Sequence, residues 1–139
     1  MSNLLSVVII AKNEEKFIGD AIKSAEFADE ILILDSDSTD DTCKIAKQLG
    51  ARVENQAWLG FGPQKNRAVD LATNDWVFVL DSDERIPPKL CSEIITTLKN
   101  PSFDGYFVGR LNNFFGKDIK TCGLYPDYSV RLFNRNKGR

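Results

Sequence analysis

The sequence predicts an α/β fold built on a mostly parallel sheet with helices on both faces. Strand-like and helix-like segments alternate over residues 4–99, which is the order of successive β-α units. The segments at residues 4–11 and 76–80 are apolar on both faces, as buried parallel strands are. After Asp104 the sequence is aromatic and punctuated by glycine, with no helical period. This change predicts antiparallel strands added to one side of the sheet.

The first β-α unit begins with the apolar segment LLSVVIIA, which predicts a strand over residues 4–11. Asn13 can cap the helix that follows, and the acidic Glu14 and Glu15 suit the positive end of that helix. The apolar residues of this helix recur at helical spacing and predict one apolar stripe, formed by Phe17, Ile18, Ala21, Ile22 and Ala25.

The second unit contains the segment EILILD, which predicts a strand over residues 30–35. The polar segment DSTDDT follows and predicts the start of a helix. Within it, Ser38 and Asp41 have the spacing of a capping box, with Asp in place of Glu. Gly50 is the predicted C-cap of this helix.

The third and fourth units follow the same order. Residues 51–55 predict a short strand, and Pro63 stands in the first turn of the next predicted helix. Residues 75–81 predict the fourth strand, and Pro88 opens the last helix. The apolar residues predicted to share one side of that helix are Leu90, Ile94, Ile95 and Leu98.

The composition predicts one globular domain over residues 1–139 and excludes several classes of site. The net charge of −2 gives no overall basic field for nucleic acid. The chain has no histidine, which excludes Ser-His-Asp and Cys-His catalysis and makes a zinc site of the His/Cys type untenable. Three cysteines without paired spacing favour a reducing compartment, and we expect the cytoplasm. The apolar run at residues 4–10 is too short for a membrane span, and it has neither the positive leader nor the small-residue cleavage site of a signal peptide.

Carboxylates follow two of the predicted strands, at the edge where a parallel sheet binds its ligands. Asp81 and Asp83 end the fourth strand, and on an extended chain both side chains would leave one face with Cα atoms about 6.6 Å apart. Mg²⁺ prefers carboxylates combined with phosphate oxygens. The pattern therefore predicts a metal held jointly with a phosphorylated ligand. Acids that end a strand and cap the next helix would give the same spacing.

The second acidic cluster follows the strand at residues 30–35. Asp35 stands at the strand tip and is the candidate to accept a hydrogen bond from the base or sugar of a ligand, whereas Asp40 and Asp41 suit helix capping. The segment also resembles the first motif of haloacid dehalogenase-type phosphatases, in which Asp35 would be the nucleophile and Asp37 the general acid. That motif usually lies on the first strand of its fold, and here a complete β-α unit precedes it.

The segment GFGPQKNRA at residues 60–68 places two glycines around Phe61, just before a predicted helix. Such a loop can approach a ligand closely and the start of a helix attracts phosphate, although the P-loop pattern is absent. Lys65 and Arg67 face either phosphate or solvent. Trp58 and Phe61 either stack on a base or sugar or, as we expect, pack against the protein.

Three segments together resemble the family 2 glycosyltransferases, which have the Rossmann-like GT-A fold. They are the region LSVVIIAKNEE…DEILILDSDSTDDT, the segment GFGPQKNRA and the segment DWVFVLDSDERIPPKL. The likeness extends over residues 4–133. It is greatest to the branch that adds a sugar, often glucose, to the inner core of lipopolysaccharide.

The resemblance implies an inverting transfer of a sugar, with glucose expected, from a UDP-sugar to a lipopolysaccharide-core or related glycan, with Mg²⁺ or Mn²⁺ as cofactor. Asp83 matches the acid that contacts the metal and the diphosphate, and Asp81 supports it. A glycan or lipid-linked acceptor and a peripheral contact at the inner face of the inner membrane are also implied. The donor-binding residues implied by the motifs are Ala11, Asn13, Glu14, Asp35, Gln64, Lys65, Asp81 and Ser82.

The chain departs from the family pattern after its second strand. Many relatives have two adjacent acids where this chain has Asp35 and Ser36, and a glycine where it has Asp37. This departure leaves the contact to the nucleobase open.

Members of this family also use a carboxylate well beyond the DxD motif to deprotonate the acceptor hydroxyl. We expect that base beyond Arg139, and Asp127 is the candidate within the chain. Residues 1–100 would then form the nucleotide-sugar-binding core, and residues 101–139 the start of an acceptor-side region that is incomplete at its C-terminus. The alternative is a nucleotide-sugar-binding module without turnover.

Overall fold

The computed structural model describes residues 3–108 and 129–136, and this part of the chain forms ten regular elements around one sheet. The strands are β1 (Leu5–Ala11), β2 (Glu30–Asp35), β3 (Arg52–Asn55), β4 (Trp76–Asp81), β5 (Gly105–Val108) and β6 (Ser129–Asn134). The helices are α1 (Ile18–Ser24), α2 (Thr42–Gln48), α3 (Phe61–Leu71) and α4 (Pro88–Lys99).

The six strands form one sheet in the order β3-β2-β1-β4-β6-β5. β1 pairs in parallel with β2 on one side and with β4 on the other, and β3 pairs in parallel with β2. β6 is antiparallel to β4, and β5 is antiparallel to β6. The predicted α/β class is confirmed, with a mostly parallel sheet and antiparallel strands after Asp104.

Alternation along β1 divides the core between the two faces of the sheet. Val7 and Ile9 belong to a buried cluster that contains residues of α1, α2 and α4. Val8 belongs to a second cluster, which contains Ala68 and Val69 of α3. Helices therefore cover both faces, and this explains why the central strands are apolar throughout.

The predicted capping role of Asn13 is wrong. α1 begins at Ile18 after Phe17, with no side-chain cap. The Asn13 side chain instead accepts hydrogen bonds from the backbone N–H groups of Thr39 and Asp40, at 2.8 and 3.3 Å. The loop after β1 is thus bound to the loop after β2, and its polar side chains are not available to the first helix.

The predicted capping box of α2 is also absent. Asp41 precedes the helix but makes no side-chain cap, and the Ser38 hydroxyl donates to Asp35 at 2.5 Å. Gly50 lies just beyond the helix with φ of 90°, a conformation that favours glycine and agrees with its predicted place at the helix end.

Proline positions mark the starts of α3 and α4 as predicted. Pro63 lies in the first turn of α3, and Pro88 is the first residue of α4. Leu90 is fully buried on the inner side of α4, but Ile95 is 42% exposed and does not share that side.

Within the described residues, none of the helices combines the length and the apolar character that a membrane crossing requires.

Replacement of Phe78, a fully buried residue of β4, tests the central position of this strand. We expect Phe78→Ala to lower the free energy of unfolding by about 3–5 kcal/mol, because it removes a core ring and leaves a cavity. Phe103→Ala is the matched control. Its ring is 60% exposed, so the loss should stay below about 1 kcal/mol in urea denaturation. Similar losses for both variants would contradict this packing.

Candidate functional site

The candidate site lies where the order of the strands reverses. The chain passes from β1 to β2 and β3 on one side, then returns to place β4 on the other side of β1. Ile10 of β1 is opposite Asp81 of β4, so the carboxyl ends of the two strands lie side by side. No crossover covers the crevice at such a point, and open α/β sheets bind their ligands there.

A cavity of about 540 Å³ occupies this crevice, which is within the range that holds a small-molecule ligand or cofactor. One part of its wall comes from the ends of β1 and β4 and the residues that follow them, and it combines the apolar Ile10 and Ala11 with charged and polar side chains. Another part comes from the loop before α3 and the first turns of that helix. The lining residues are Ile10, Ala11, Lys12, Glu14, Trp58, Phe61, Lys65, Asp81, Ser82 and Asp83.

A tight turn follows β4 and carries the acidic motif. The Glu84 N–H donates to the Asp81 carbonyl at 3.0 Å, and the Glu84 carboxylate accepts the Asp81 N–H at 3.0 Å. The chain is therefore not extended beyond Asp81, so the extended arrangement on which the spacing of about 6.6 Å depends is not the one that the structure has. The turn still brings Asp81 and Asp83 to the same cavity.

Arg131 of β6 stabilises this turn through hydrogen bonds to Glu84 and to the backbone of β4. Its guanidinium donates to both carboxylate oxygens of Glu84, at 2.6 and 3.2 Å, and to the Val79 carbonyl at 3.2 Å. One of its nitrogens lies 4.0 Å from the Asp81 carboxylate. Burial alone would lower the pKa of Arg131, but Glu84 and Asp81 hold it above its ordinary value. This arginine therefore remains charged and fixes the turn.

The two acids of the motif differ in their partners. Asp81 has the Lys65 ammonium group 3.7 Å from one carboxylate oxygen. Asp83 is exposed and makes no hydrogen bond or ion pair with residues in the described part of the chain. Its carboxylate is thus available to a ligand, while that of Asp81 already has cationic neighbours.

The donor set fits a divalent cation that is shared with a phosphate and does not fit an all-protein metal cage. Within residues 3–108 and 129–136, no group of three or more acidic, histidine or cysteine side chains is placed to hold a metal ion. Mg²⁺ is commonly bound by one or two carboxylates together with substrate phosphates. Asp83 and Asp81 supply that number of carboxylates.

The Ser82 hydroxyl joins the two strand ends across the crevice. It donates to the Glu14 carboxylate at 2.5 Å, and the Glu14 N–H donates to the hydroxyl of Thr42 at 2.8 Å. The Asn13 N–H likewise donates to Ser38 at 2.8 Å, and Asn13 has φ of 52°, which this tight loop requires. The loop after β1 is therefore held on both sides.

Asp35 lies outside the cavity lining. It is 2% exposed, and its carboxylate accepts the Ser38 hydroxyl and, at 2.8 Å, the Ser38 N–H. Burial and the adjacent Asp35 raise the pKa of the Cys43 thiol above its ordinary value. Asp37 exchanges hydrogen bonds with Asn55. A phosphatase nucleophile needs open approach, so these contacts disfavour the phosphatase hypothesis.

Gln64 is fully buried and does not line the cavity. Its amide nitrogen donates to the Ser36 hydroxyl at 2.8 Å and to the Gln56 carbonyl at 3.1 Å. Its amide oxygen accepts the Leu59 N–H at 3.0 Å. Both ends of the side chain are used to hold the loop between β3 and α3, so Gln64 shapes the cavity without touching its interior.

Trp58 and Phe61 are more exposed than the sequence predicts. The sequence predicts packing against the protein, but Trp58 is 48% exposed and Phe61 is 73% exposed. Their rings contact each other edge to face, with centroids 4.9 Å apart, and both line the cavity. The available signal was the pair of glycines that flank Phe61, because glycines allow a backbone to approach a ligand closely.

The structure brings most of the site residues predicted from sequence to one cavity. Those in its lining are Ala11, Glu14, Lys65, Asp81, Ser82 and Asp83. Those outside the lining are Asn13, Asp35 and Gln64. Asp127, the candidate base, lies outside the described residues.

The sequence matches known proteins over nearly its whole length. Residues 6–135 match the family model for glycosyl transferase family 2. The chain is 43% identical over 135 residues to the uncharacterized glycosyltransferase RT0209 of Rickettsia typhi, an alignment that covers 94% of this chain and 46% of that protein. It is 32% identical over 142 residues to the lipopolysaccharide core biosynthesis glycosyltransferase LpsC of Rhizobium meliloti, covering 97% and 52%. The chain thus spans about half the length of these relatives.

Solved structures match the fold. Glucosyl-3-phosphoglycerate synthase from Mycobacterium tuberculosis, in complex with Mn²⁺, UDP and glucosyl-3-phosphoglycerate, superimposes with a TM-score of 0.63 at 30% identity. That superposition covers 77% of this chain and 43% of the synthase. A mycobacterial protein superimposes with a TM-score of 0.70 at 25% identity, and that superposition covers 96% of this chain and 54% of the mycobacterial protein.

Replacement of Gln64 tests whether its buried amide holds the loop before α3. We expect Gln64→Leu to lower the free energy of unfolding by about 2 kcal/mol or more, because it leaves buried hydrogen-bonding groups without partners. Gln48→Leu, at an exposed position of α2, is the control and should change stability by less than about 0.5 kcal/mol. Equal effects in chemical denaturation would show that the Gln64 contacts contribute little.

Proposed function

The chain belongs to glycosyl transferase family 2, and on that premise we propose that it forms the donor site of a metal-dependent inverting glycosyltransferase. The donor is a UDP-sugar, with glucose as the sugar, and the acceptor is a lipopolysaccharide-core or related glycan. The observation that carries the proposal is the turn at residues 81–84. It holds Asp81 and Asp83 beside the end of β1, at the point where the strand order reverses.

The nucleoside part of the donor is assigned to the end of β1. Ala11 and Glu14 line the cavity there, next to the loop after β2. Asn13 and Asp35 are assigned to this side as residues that fix the loops, because their polar atoms bind backbone groups of residues 38–40. The mycobacterial synthase was solved in complex with UDP, which supports a uridine nucleotide as the donor.

The diphosphate is assigned to the end of β4. Asp83 would hold the cation together with the diphosphate, and Asp81 would support it, since both carboxylates line the cavity and Asp83 is exposed. Lys65 directs its ammonium group into the same space and is placed to pair with a phosphate oxygen. Mg²⁺ or Mn²⁺, when bound there, neutralises charge that builds on the leaving diphosphate.

The proposed reaction is a displacement at the anomeric carbon. The acceptor hydroxyl oxygen forms the new bond to this carbon as the bond to the diphosphate oxygen breaks, and that electron pair leaves with UDP. A carboxylate takes the hydroxyl proton. Asp127 is the candidate for this base within residues 1–139.

The acceptor assignment rests on the relative from Rhizobium meliloti, which is named a lipopolysaccharide core biosynthesis glycosyltransferase. We extend that role to this chain, with a glycan or lipid-linked acceptor and peripheral contact at the inner face of the inner membrane. A nucleotide-sugar-binding module without turnover would share the same donor site. Formation of a glycosylated acceptor together with free UDP separates transfer from binding alone.

Titration calorimetry of UDP, with and without Mn²⁺, tests the donor site. We expect Mn²⁺ to strengthen UDP binding, and Asp83→Asn to weaken the Mn²⁺-dependent affinity by about tenfold or more, because it removes a charged ligand from the cation. Asp20→Asn is the matched control, since Asp20 is an exposed acid on α1 outside the cavity. A UDP affinity that is the same with and without Mn²⁺, or a Mn²⁺-dependent affinity that is unchanged in Asp83→Asn, would contradict the proposed site.

A further inference from the structure

Two aromatic rings stand exposed at the cavity, where burial would be the ordinary arrangement. Phe61 is 73% exposed and Trp58 is 48% exposed, yet the rings touch each other at a centroid distance of 4.9 Å and an interplanar angle of 88°. Both belong to the cavity lining. Large apolar rings exposed in a concave site commonly mark a ligand surface, because a ligand can cover them when it binds.

The loop that carries Trp58 and leads into Phe61 is held by several hydrogen bonds. Gln64, fully buried, binds the Leu59 N–H and the Gln56 carbonyl, and the Gln56 N–H donates to the Asp35 carbonyl at 2.8 Å. Gly60 has φ of 104°, which turns the chain into α3. The loop that leads to the ring pair is therefore bonded to the end of β2.

The order of groups along the cavity matches the order of groups in a nucleotide. Phe61 and Lys65 are four residues apart on α3, so they share one face of the helix and both line the cavity. Lys65 in turn reaches to 3.7 Å from Asp81 on β4. The cavity therefore has aromatic rings at one end, the Lys65 ammonium group next, and carboxylates at the other end. A nucleoside diphosphate has a flat base at one end and metal-binding phosphates at the other.

We propose that Trp58 and Phe61 form the surface on which the nucleobase of the donor stacks. This inference rests on the proposed donor site and adds the pair as binding residues within it. Every base has a π face, so stacking supplies affinity without choosing the base. The choice of uracil would then depend on hydrogen bonds made elsewhere, at the end of β1.

The transferred sugar is a less suitable occupant of the ring pair. In a UDP-sugar, the sugar is attached to the phosphate farther from the base, so it lies beyond the diphosphate. With the diphosphate between Lys65 and Asp83, the base and the sugar extend to opposite sides of the cavity. The rings lie on the side of β2, because their loop is bonded to Asp35 and Ser36 at the end of that strand.

The test compares UDP with inorganic pyrophosphate, each titrated in the presence of Mn²⁺. We expect Trp58→Ala and Phe61→Ala to weaken UDP binding by about 5- to 150-fold, the range measured for loss of base stacking. Binding of pyrophosphate should change less than about twofold, because it has no base. Leu59→Ala is the matched control, since Leu59 is 49% exposed on the same loop but does not line the cavity.

Fluorescence gives a second measurement that a general loss of structure would not mimic. The chain has two tryptophans, and Trp76 is 4% exposed at the start of β4. In Trp76→Phe, emission comes from Trp58 alone, and we expect UDP with Mn²⁺ to quench it while pyrophosphate with Mn²⁺ leaves it unchanged. Quenching by both ligands, or by neither although UDP binds, would overturn the proposal.

The outcomes separate this inference from the proposed function. If the wild-type chain binds UDP with Mn²⁺ but both alanine variants bind it equally well, the donor site stands and the stacking surface is wrong. An equal loss of UDP and pyrophosphate binding also overturns stacking, because the rings would then act on the phosphate end. If the wild-type chain binds UDP no more tightly than it binds pyrophosphate, the nucleoside assignment and the stacking surface are both wrong.

Discussion

The parallel pairing of β1 with β4 is the constraint on which the site depends. It sets Ile10 opposite Asp81 and so brings the end of the fourth strand beside the end of the first. A slip of one residue in β4 would turn its acidic end toward the opposite face of the sheet. Burial on both faces prevents that slip, since Val79 packs in the α3 cluster while Phe78 and Leu80 pack in the other. The register of the core therefore determines where the carboxylates stand.

Ion pairs then determine which of the carboxylates after β4 is left for a ligand. Arg131, from an antiparallel strand far along the chain, pairs with Glu84 and stands near Asp81, while Lys65 approaches Asp81 from α3. These charges largely compensate each other around the turn. Asp83 is left with its carboxylate toward the cavity and without a cationic partner among the described residues. The arrangement suits an added cation that arrives with a diphosphate.

The fold was predictable because its strands are short apolar runs separated by strong turn and helix-start residues. The DxD motif was also visible, as was the loop that holds Lys65. The geometry around them was not, because it depends on contacts between distant segments. No local pattern reveals that Asn13 binds the backbone of Thr39, or that Gln64 is buried. The exposure of Phe61 likewise follows from the path of a loop and not from its residue type.

The decisive measurement is anomalous diffraction above the manganese edge from crystals of the chain soaked with UDP and MnCl₂. We expect one manganese peak between the Asp83 carboxylate and the diphosphate of UDP, at the ends of β1 and β4. A peak that is bound through Asp35 or Asp37, or UDP located away from the β1–β4 crevice, would contradict it.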